Sequence, residues 1–288
     1  MKYYVLYNSL AGHGSHKEKL DMICALYSEE TVLYDITKLD GYDKIISELE
    51  DDDVIILCGG DGTINRFVND TEELDIKNDI IYYPLGTGND FLRDIDKVGC
   101  TTPIPIKEYI NDLPIVEVKG KTYRFLNNVG FGIDGYCCEV GDELKKTSSK
   151  PVNYTSIAIK GLLFHYKPTT ATVVVDGKEY KYNKVWIAPT MKGRFYGGGM
   201  MPTPEQDRRS GKLSVMLFYG KGRIKTLTVF PSIFKGEHVK HKNMVAIHTG
   251  SEISVTFDRP APLQIDGETI LGVTSYKASA KVLAKQKI

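Results

Sequence analysis

The 288-residue chain lacks several signatures whose absence narrows its chemistry. There is no GxxxxGK[ST] phosphate loop, no HRD or DFG motif, and no GxGxxG followed by an acid. P-loop nucleotide hydrolysis, protein-kinase chemistry and dinucleotide hydride transfer are therefore without support. Five cysteines, Cys24, Cys58, Cys100, Cys137 and Cys138, lie in or beside apolar segments and form no CxxC pair. That spacing indicates neither a zinc site nor a disulfide framework and fits a reduced cytosolic compartment. No apolar run approaches the length of a membrane span, and "MKYYVLYNSLAG" turns polar too early for a signal peptide. Thirty-seven basic residues balance 37 acidic ones. A neutral chain is a poor candidate for nucleic-acid binding through bulk charge. No low-complexity tract or fixed-period repeat is present.

What is present is an alternation. "KYYVLYN", "TVLYDI", "DVIILCG" and "DIIYYPLG" read as strands. Between and after them, "SHKEKLDMICALYSE", "YDKIISELE", "TINRFVND" and "NDFLRDI" read as helices. Such a pattern predicts a parallel α/β domain, whose ligands sit at the carboxyl ends of its strands. Three glycine-rich stretches fall at those ends: "NSLAGHGS", "CGGDGT" and "PLGTGND". From about residue 119 the texture changes. Asp176-Gly177 sits in a hairpin pattern within "ATVVVDGKEYKYNKVWIA", and "GKLSVMLFYG", "NMVAIHTGSEISVTF" and "PLQIDGE" continue as short strands. This half reads as mainly antiparallel β, a sandwich interrupted by helices in "DGYCCEVGDELKK" and "YTSIAIKGLLFHY". The expected domains are 1–118 and 119–274.

Glycines between a strand and a helix let backbone amides approach phosphate oxygens, and the helix N-terminus favours anions. Gly59, Gly60 and Gly62 suit that task, and Thr63 could cap the helix or touch phosphate. Asp61 repels anions, so it makes sense beside Mg²⁺ or as an acceptor for a substrate proton; the plainer alternative is a tight turn whose Asp makes local hydrogen bonds. An exact GGDGT arises by chance at about one position in a million. The next loop repeats the logic with Gly86, Thr87, Gly88 and Asn89, followed by a second acid, Asp90.

"GGDGTINRFVN" and "PLGTGNDFLR" resemble the catalytic domain shared by bacterial diacylglycerol and related lipid kinases, sphingosine kinases and ceramide kinases. "FLNNVGFGIDG", "GRFYGGGMMPTP", "GEHVKHKNM" and "PLQIDGE" extend the resemblance over nearly the whole chain. More distant NAD kinases share GGDGT, but "PLGTGNDF" and "GGGM…DGE" favour the lipid-kinase side. The resemblance implies an NAD-kinase-like nucleotide-binding domain and a β-rich lipid-holding domain, with a reacting cleft between them. It implies that the tail, about 275–288, packs back on the first domain. It also implies ATP and Mg²⁺ as cofactors and a lipid alcohol, diacylglycerol first, as acceptor. A sphingoid base or a phosphatidylglycerol-like lipid are alternatives. Such a protein would be cytoplasmic, meeting its substrate at a membrane surface without spanning the membrane; a homodimer is left open.

By resemblance, Asn8, Gly12 and Thr37 lie near the nucleotide, and Gly59 to Thr63 cradle phosphates. Asp61 and Asp90 support Mg²⁺ or the reacting hydroxyl. Glu268 is the first candidate for general base and Asp61 the second. The family's N-terminal Asn-Pro pair is Asn8-Ser9 here, and the alanine after "NDF" is Leu92. Where family members often carry two adjacent acids of a structural Mg²⁺ site, this chain has Arg209 and Ser210, leaving Asp207 nearby. Those two residues favour a rival reading, a non-catalytic nucleotide sensor; three retained acids oppose it. His238 and His241 have metal-ligand spacing, but their strand-like, lysine-rich segment reads as a solvated basic face. "IAIKGLLFHY" reads as a buried helix rather than a membrane insert. The cluster Lys221, Arg223, Lys225, Lys235, Lys240 and Lys242 reads as surface that could touch anionic lipid heads.

Overall fold

The computed structural model describes residues 1–11, 16–27, 30–85, 89–147 and 152–280. The chain divides into two compact units, Met1–Asp112 and Leu113–Ile288.

The first unit holds a five-stranded sheet in the order β2-β1-β3-β4-β5. β1 (Tyr3–Tyr7), β2 (Thr31–Asp35), β3 (Val54–Gly59) and β4 (Asp79–Pro84) run parallel. A short β5 (Ile104–Pro105), which sequence patterning does not show, closes the edge antiparallel to β4. Val5, Leu6, Ile55, Ile56, Leu57 and Cys58 are almost completely buried. Strands covered on both faces read as continuous apolar runs for this reason. The connecting helices are α1 (His16–Tyr27), α2 (Asp43–Ser47), α3 (Asp61–Asp70), α4 (Asp90–Asp94) and α5 (Lys107–Ile110). The chain leaves β1 for β2 on one side and returns to β3 on the other. The sheet therefore reverses between β1 and β3, and the loops after these two strands flank that switch point.

In the second unit β6 (Ile115–Val118), β7 (Lys121–Arg124) and β8 (Asn128–Gly132) lead into α6 (Ile133–Thr147) and α7 (Tyr154–Lys160). A π-helical turn, Gly161–His165, prolongs α7. The hairpin β9 (Thr169–Val175) and β10 (Lys178–Val185) turns at Asp176 and Gly177, both at positive φ, as an Asp-Gly turn requires. β11 (Ile187–Met191), β12 (Leu213–Phe218), α8 (Arg223–Val229), β13 (Val245–Gly250), β14 (Glu252–Ile265) and β15 (Glu268–Ser279) complete it. Ten strands form one sheet, with β13-β12-β11-β8-β14-β15-β6-β7 in sequence and β9-β10 branching from β14. The branch exists because β14 is long and irregular. Ile253–Phe257 pair with β9, and Leu263–Ile265 pair with β8. Its pairing with β15 shifts between Thr256 and Ala261. The expected antiparallel β half is built from one continuous, branching sheet that encloses Phe131, Val173, Leu217, Val255 and Leu263 in one core. Trp186, Met216 and Phe218 pack in a second cluster with residues of α6, α7 and the π-helical turn.

The division at Asp112–Leu113 precedes the expected 118/119, because β6 pairs with β7 and β15. Most of the expected returning tail lies outside the described residues. Residues 275–279 are the end of β15 in the second sheet; residues 281–288 lie outside those described. Glu237–Lys240 is a short 3₁₀ helix, not a strand. His238 is fully buried there, with Nε2 donating to the Pro202 carbonyl at 2.8 Å, so the solvated-face reading is wrong for it. Burial lowers its pKa, and its Nδ1 has no partner among the described residues. "IAIKGLLFHY" is only partly the buried helix expected: Ile157 and Leu162 are buried, whereas Ile159 and Phe164 are exposed. Among the described residues no helix is long and apolar enough to cross a membrane.

Candidate active site

β3 ends at Gly59 and α3 begins at Asp61, with Gly60 as the extended N-cap. The three glycines have different causes. A Cβ on Gly59 would lie 2.0 Å from Thr63 Oγ1, so packing alone demands glycine there. At Gly60 and Gly62 a Cβ would meet nothing within 4 Å, and neither residue has positive φ. Among the described residues nothing requires glycine at these two positions. They bound open space at the amino end of a ten-residue helix, where backbone N–H groups lack intrahelical partners and the dipole favours an anion.

This loop is tied to its neighbour after β4. Leu85 N–H and the Tyr82 hydroxyl both donate to Gly59 O, at 2.9 and 2.8 Å. Tyr82 is itself bonded by Asn89 Nδ2, and burial raises its pKa far above the usual tyrosine range. Asn89 Oδ1 caps α4 through Leu92 N–H. Asp61 Oδ2 accepts from Asp90 N–H and Phe91 N–H at 2.9 and 3.2 Å. One carboxylate at the start of α3 thereby holds the start of α4, where Asp90 is the first residue. Asp90 is buried, with Arg93 Nε 3.9 Å from its Oδ1.

Two further segments complete the edge. Asn8 N–H donates to Cys58 O, and Asn8 Nδ2 reaches Thr63 Oγ1 at 3.4 Å, bridging β1 to the GGDGT loop. The Thr37 hydroxyl donates to Asp35 Oδ1 at 2.8 Å and meets Ser9 Oγ at 3.1 Å. Burial alone would raise the pKa of Asp35, but hydrogen bonds from Thr37 and Ser9 outweigh it and pull it down to about 2. Lys19 of α1 donates to the carbonyls of Pro84 and Leu85, placing a cation beside the second loop. Asp35, Tyr82 and Lys19 were not singled out from sequence. Gly12, Gly86, Thr87 and Gly88 lie outside the described residues.

In the second unit, Glu268 opens β15 with its side chain exposed, directly after a tight turn with Asp266 and Gly267 at φ 47° and 96°. The turn is anchored from far along the chain. The Asp266 carboxylate accepts the backbone N–H groups of Leu126, Asn127 and Asn128. Burial pushes its pKa up, opposed by those amides and by the Arg208 guanidinium. Arg208 is buried and donates to Leu126 O and Asn127 Oδ1 at 2.6 and 2.8 Å. Gly267 N–H donates to Gln264 Oε1 at 2.8 Å, and Gln264 Nε2 approaches Asp134 Oδ2 at 3.5 Å. Asp134 is buried, with no cationic partner among the described residues, and desolvation lifts its pKa to about 7. Thr269 is tied to Asp142 of α6 at 2.8 Å. Asn128 Nδ2, buried in the same region, has no hydrogen-bond partner among the described residues.

Asp207 is exposed on a turn, its carboxylate accepting Arg209 N–H. The internal guanidinium belongs to Arg208 rather than to exposed Arg209. No group of three or more His, Cys, Asp or Glu among the described residues could hold a metal, so no further acid ligands gather at Asp207.

Comparison with known proteins covers both units. Residues 2–113 match the model of the diacylglycerol kinase catalytic domain. Residues 127–282 match the YegS C-terminal NAD kinase beta sandwich-like domain. The chain is 27 % identical to a diacylglycerol kinase of Mycobacterium tuberculosis over 257 residues, 83 % of this chain and 80 % of that protein. It is 25 % identical to a diacylglycerol kinase of Bacillus subtilis over 279 residues, 92 % and 88 % of the two. A crystal structure of a diacylglycerol kinase from Bacillus anthracis superposes with a TM-score of 0.61 at 17 % identity, covering 96 % of this chain and 93 % of that one, which shows a shared fold. With GGDGT and its partner loop on one half and the matching β-rich unit on the other, the chain belongs to the diacylglycerol-kinase catalytic-domain family of lipid kinases.

Proposed function

We propose that the protein transfers the γ-phosphoryl group of ATP to the hydroxyl of a membrane lipid alcohol, diacylglycerol first. The observation that carries this is the open space at Gly60 and Gly62 on the N-terminus of α3, with Asp61 between them. The amides there would hold phosphate oxygens, while Asn8, Thr63 and Asn89 fix the surrounding loops. Asp61 and Asp90 would hold the Mg²⁺ that comes with ATP, whose chemistry is charge neutralisation across the phosphates. The donor set fits that role in its chemistry: two hard carboxylates, that of Asp61 hydrogen-bonded to the Asp90 backbone N–H, and no cage of three protein ligands among the described residues. Mg²⁺ in such sites takes its remaining ligands from phosphate and water.

Glu268 is the proposed general base. Its carboxylate is exposed on a turn that Asp266, Gln264 and Arg208 hold rigid, so it can accept a hydroxyl proton without reorganising the hairpin. Diacylglycerol is placed first because the M. tuberculosis and B. subtilis relatives are named for it. Transfer would take place where the cytoplasmic protein meets a membrane surface.

The test is transfer of labelled γ-phosphate from Mg·ATP into diacylglycerol, ceramide, sphingosine and phosphatidylglycerol in mixed micelles, with NAD in buffer and Asp61→Asn as controls. Label in diacylglycerol, lost in Asp61→Asn, is the expected result. Label in another lipid would replace the acceptor. Label in NAD alone would overturn the lipid assignment, and ATP binding without any transfer would favour a nucleotide sensor.

A further inference from the structure

The loop between β11 and β12 carries the chain's main departure from the family pattern. Resemblance implies two adjacent acids and a structural Mg²⁺ ahead of Gly211, where this chain has Arg209 and Ser210. The acid that remains, Asp207, is exposed, and its carboxylate accepts Arg209 N–H at 2.8 Å. Among the described residues no group of three or more His, Cys, Asp or Glu could hold a metal. Hard divalent ions need several oxygen ligands, carboxylates among them. The residues present therefore do not fit that ion.

Two buried side chains of the same loop stand in its place. Gln206 Nε2 lies 3.2, 3.1 and 3.0 Å from the carbonyl oxygens of Lys192, Asp207 and Lys212. Its two hydrogens face three acceptors. Carbonyls gathered about one centre are what a cation would use, and here a neutral amide fills the centre. Gln206 Oε1 accepts from the Ser214 hydroxyl on β12, so the loop is closed on both flanking strands. Two residues on, Arg208 is 6 % exposed, with Nη1 donating to Leu126 O at 2.6 Å and Nη2 to Asn127 Oδ1 at 2.8 Å. The N–H groups of residues 126–128 go to the Asp266 carboxylate, and Asp266 N–H returns to Asn128 O at 3.0 Å. Residues 126–128 are thus gripped by a cation on one side and an anion on the other. Desolvation works against the Asp266 charge, and the three amides and the guanidinium support it. Removing one charge of such a pair leaves the other without compensation. Glu268 follows Asp266 by two residues.

We propose that Arg208 is the built-in structural cation of the second unit, a positioning residue that, with Gln206, locks residues 126–128 onto the Asp266 turn and so fixes Glu268 without a divalent ion. The proposal rests on the reading of Glu268 as the base. It leaves Mg²⁺ a role with the nucleotide alone. It also gives the Arg209-Ser210 departure a cause. The acids are dispensable because a side chain one position earlier supplies the positive charge, so their loss does not argue for a non-catalytic sensor.

The experiment compares the full chain with Arg208→Met and Arg208→Lys by thermal melting and amide hydrogen exchange, without nucleotide, in Mg²⁺ and in EDTA. An ion bound to the native state raises the melting temperature by mass action, so the wild type should melt alike in both buffers. Amides of residues 126–128 should exchange about 10- to 100-fold faster in Arg208→Met. Arg208→Lys keeps the charge but loses the planar fork, and should fall between. Exchange in β1, β3 and β4 should be unchanged, which separates local loosening from general instability. In the transfer assay kcat should fall by up to about 100-fold in Arg208→Met and recover in part in Arg208→Lys, with KM for Mg·ATP unaltered. A wild type that melts several degrees lower in EDTA would overturn the proposal. So would exchange at 126–128 as slow in the variants as in the wild type; if Arg208→Met does not fold, Arg208→Lys decides. Absence of transfer by the wild type would count against the kinase reading alone, since melting and exchange are read without turnover.

Discussion

Substituting alanine at two glycines three residues apart should separate packing from ligand binding. At Gly62, the second residue of α3, a Cβ meets no atom within 4 Å. Alanine is favoured over glycine in a helix by up to about 1 kcal/mol, so Gly62→Ala should leave stability unchanged or raise the melting temperature by a few degrees. Its methyl group tilts toward the helix N-terminus, into the space proposed for phosphate. A charge-assisted hydrogen bond is worth about 1.5–3 kcal/mol, so losing one should weaken ATP binding by roughly 10- to 100-fold. At Gly59 the same methyl would stand 2.0 Å from Thr63 Oγ1 and 2.5 Å from Thr63 Cβ. Even removal of the hydroxyl would leave a clash, and overpacking of this kind costs about 1–3 kcal/mol. Gly59→Ala should therefore lose both stability and activity. Calorimetric titration with Mg·ATP, alongside thermal unfolding, reads both effects. If Gly62→Ala bound ATP as the wild type does, the open N-terminus of α3 would not be the phosphate site, and the reading built on it would fall.

Three further outcomes are expected. Asp61→Ala should lose about 1–3 kcal/mol of stability, because two N–H groups at the start of α4 lose their acceptor; Asp61→Asn keeps an acceptor and should fold normally while turnover collapses. Glu268→Gln, on an exposed turn, should change stability by less than about 0.5 kcal/mol yet cut kcat by roughly 10²- to 10⁴-fold; kcat near wild type would remove Glu268 as base. Asp134 ionises at about 7 in the fold against an ordinary 3.8. Its contribution is fully present below pH 3.8 and is lost as pH rises toward 7, a loss on the order of 4 kcal/mol at 1.36 kcal/mol per pH unit. Asp134→Asn should flatten melting temperature against pH across that window, and an unaltered profile would mean the carboxyl is not the titrating group.

The sequence made local features legible. Apolar runs stopped by glycine located four strands and their ligand edge, and Asp-Gly pairs marked the turns at 176–177 and 266–267. Motif and resemblance together pointed to Asp61, Asp90 and Asn89, which the fold ties together at the start of α4. What stayed hidden depends on partners distant in sequence. Tyr82 looks like any residue of a buried strand until its hydroxyl is found on Gly59 O. Asp35 gains its importance from Ser9 and Thr37, and Arg208 from residues 126 and 127. The segment around His238 misled because a buried histidine beside exposed lysines has the composition of a solvated face. Nothing local shows that the end of β15 pairs with β6.

That pairing has a consequence for how the molecule comes into being. β6, at residues 115–118, finds a neighbour in β15, at residues 277–279, and β8 finds one in β14 at residues 263–265. During synthesis the early strands of the second unit must wait, edges bare, for more than a hundred residues to emerge. The first unit builds its parallel sheet from strands that follow one another closely and can close by itself. Non-local pairing slows folding and leaves unpaired edges open to wrong partners. Refolding should therefore be biphasic, with the first unit forming first. The Glu268 hairpin, clamped by amides some 140 residues away, would be among the last features to assemble. Such a chain would acquire its proposed phosphate cradle before its proposed base, and chaperone dependence would fall on the β-rich half.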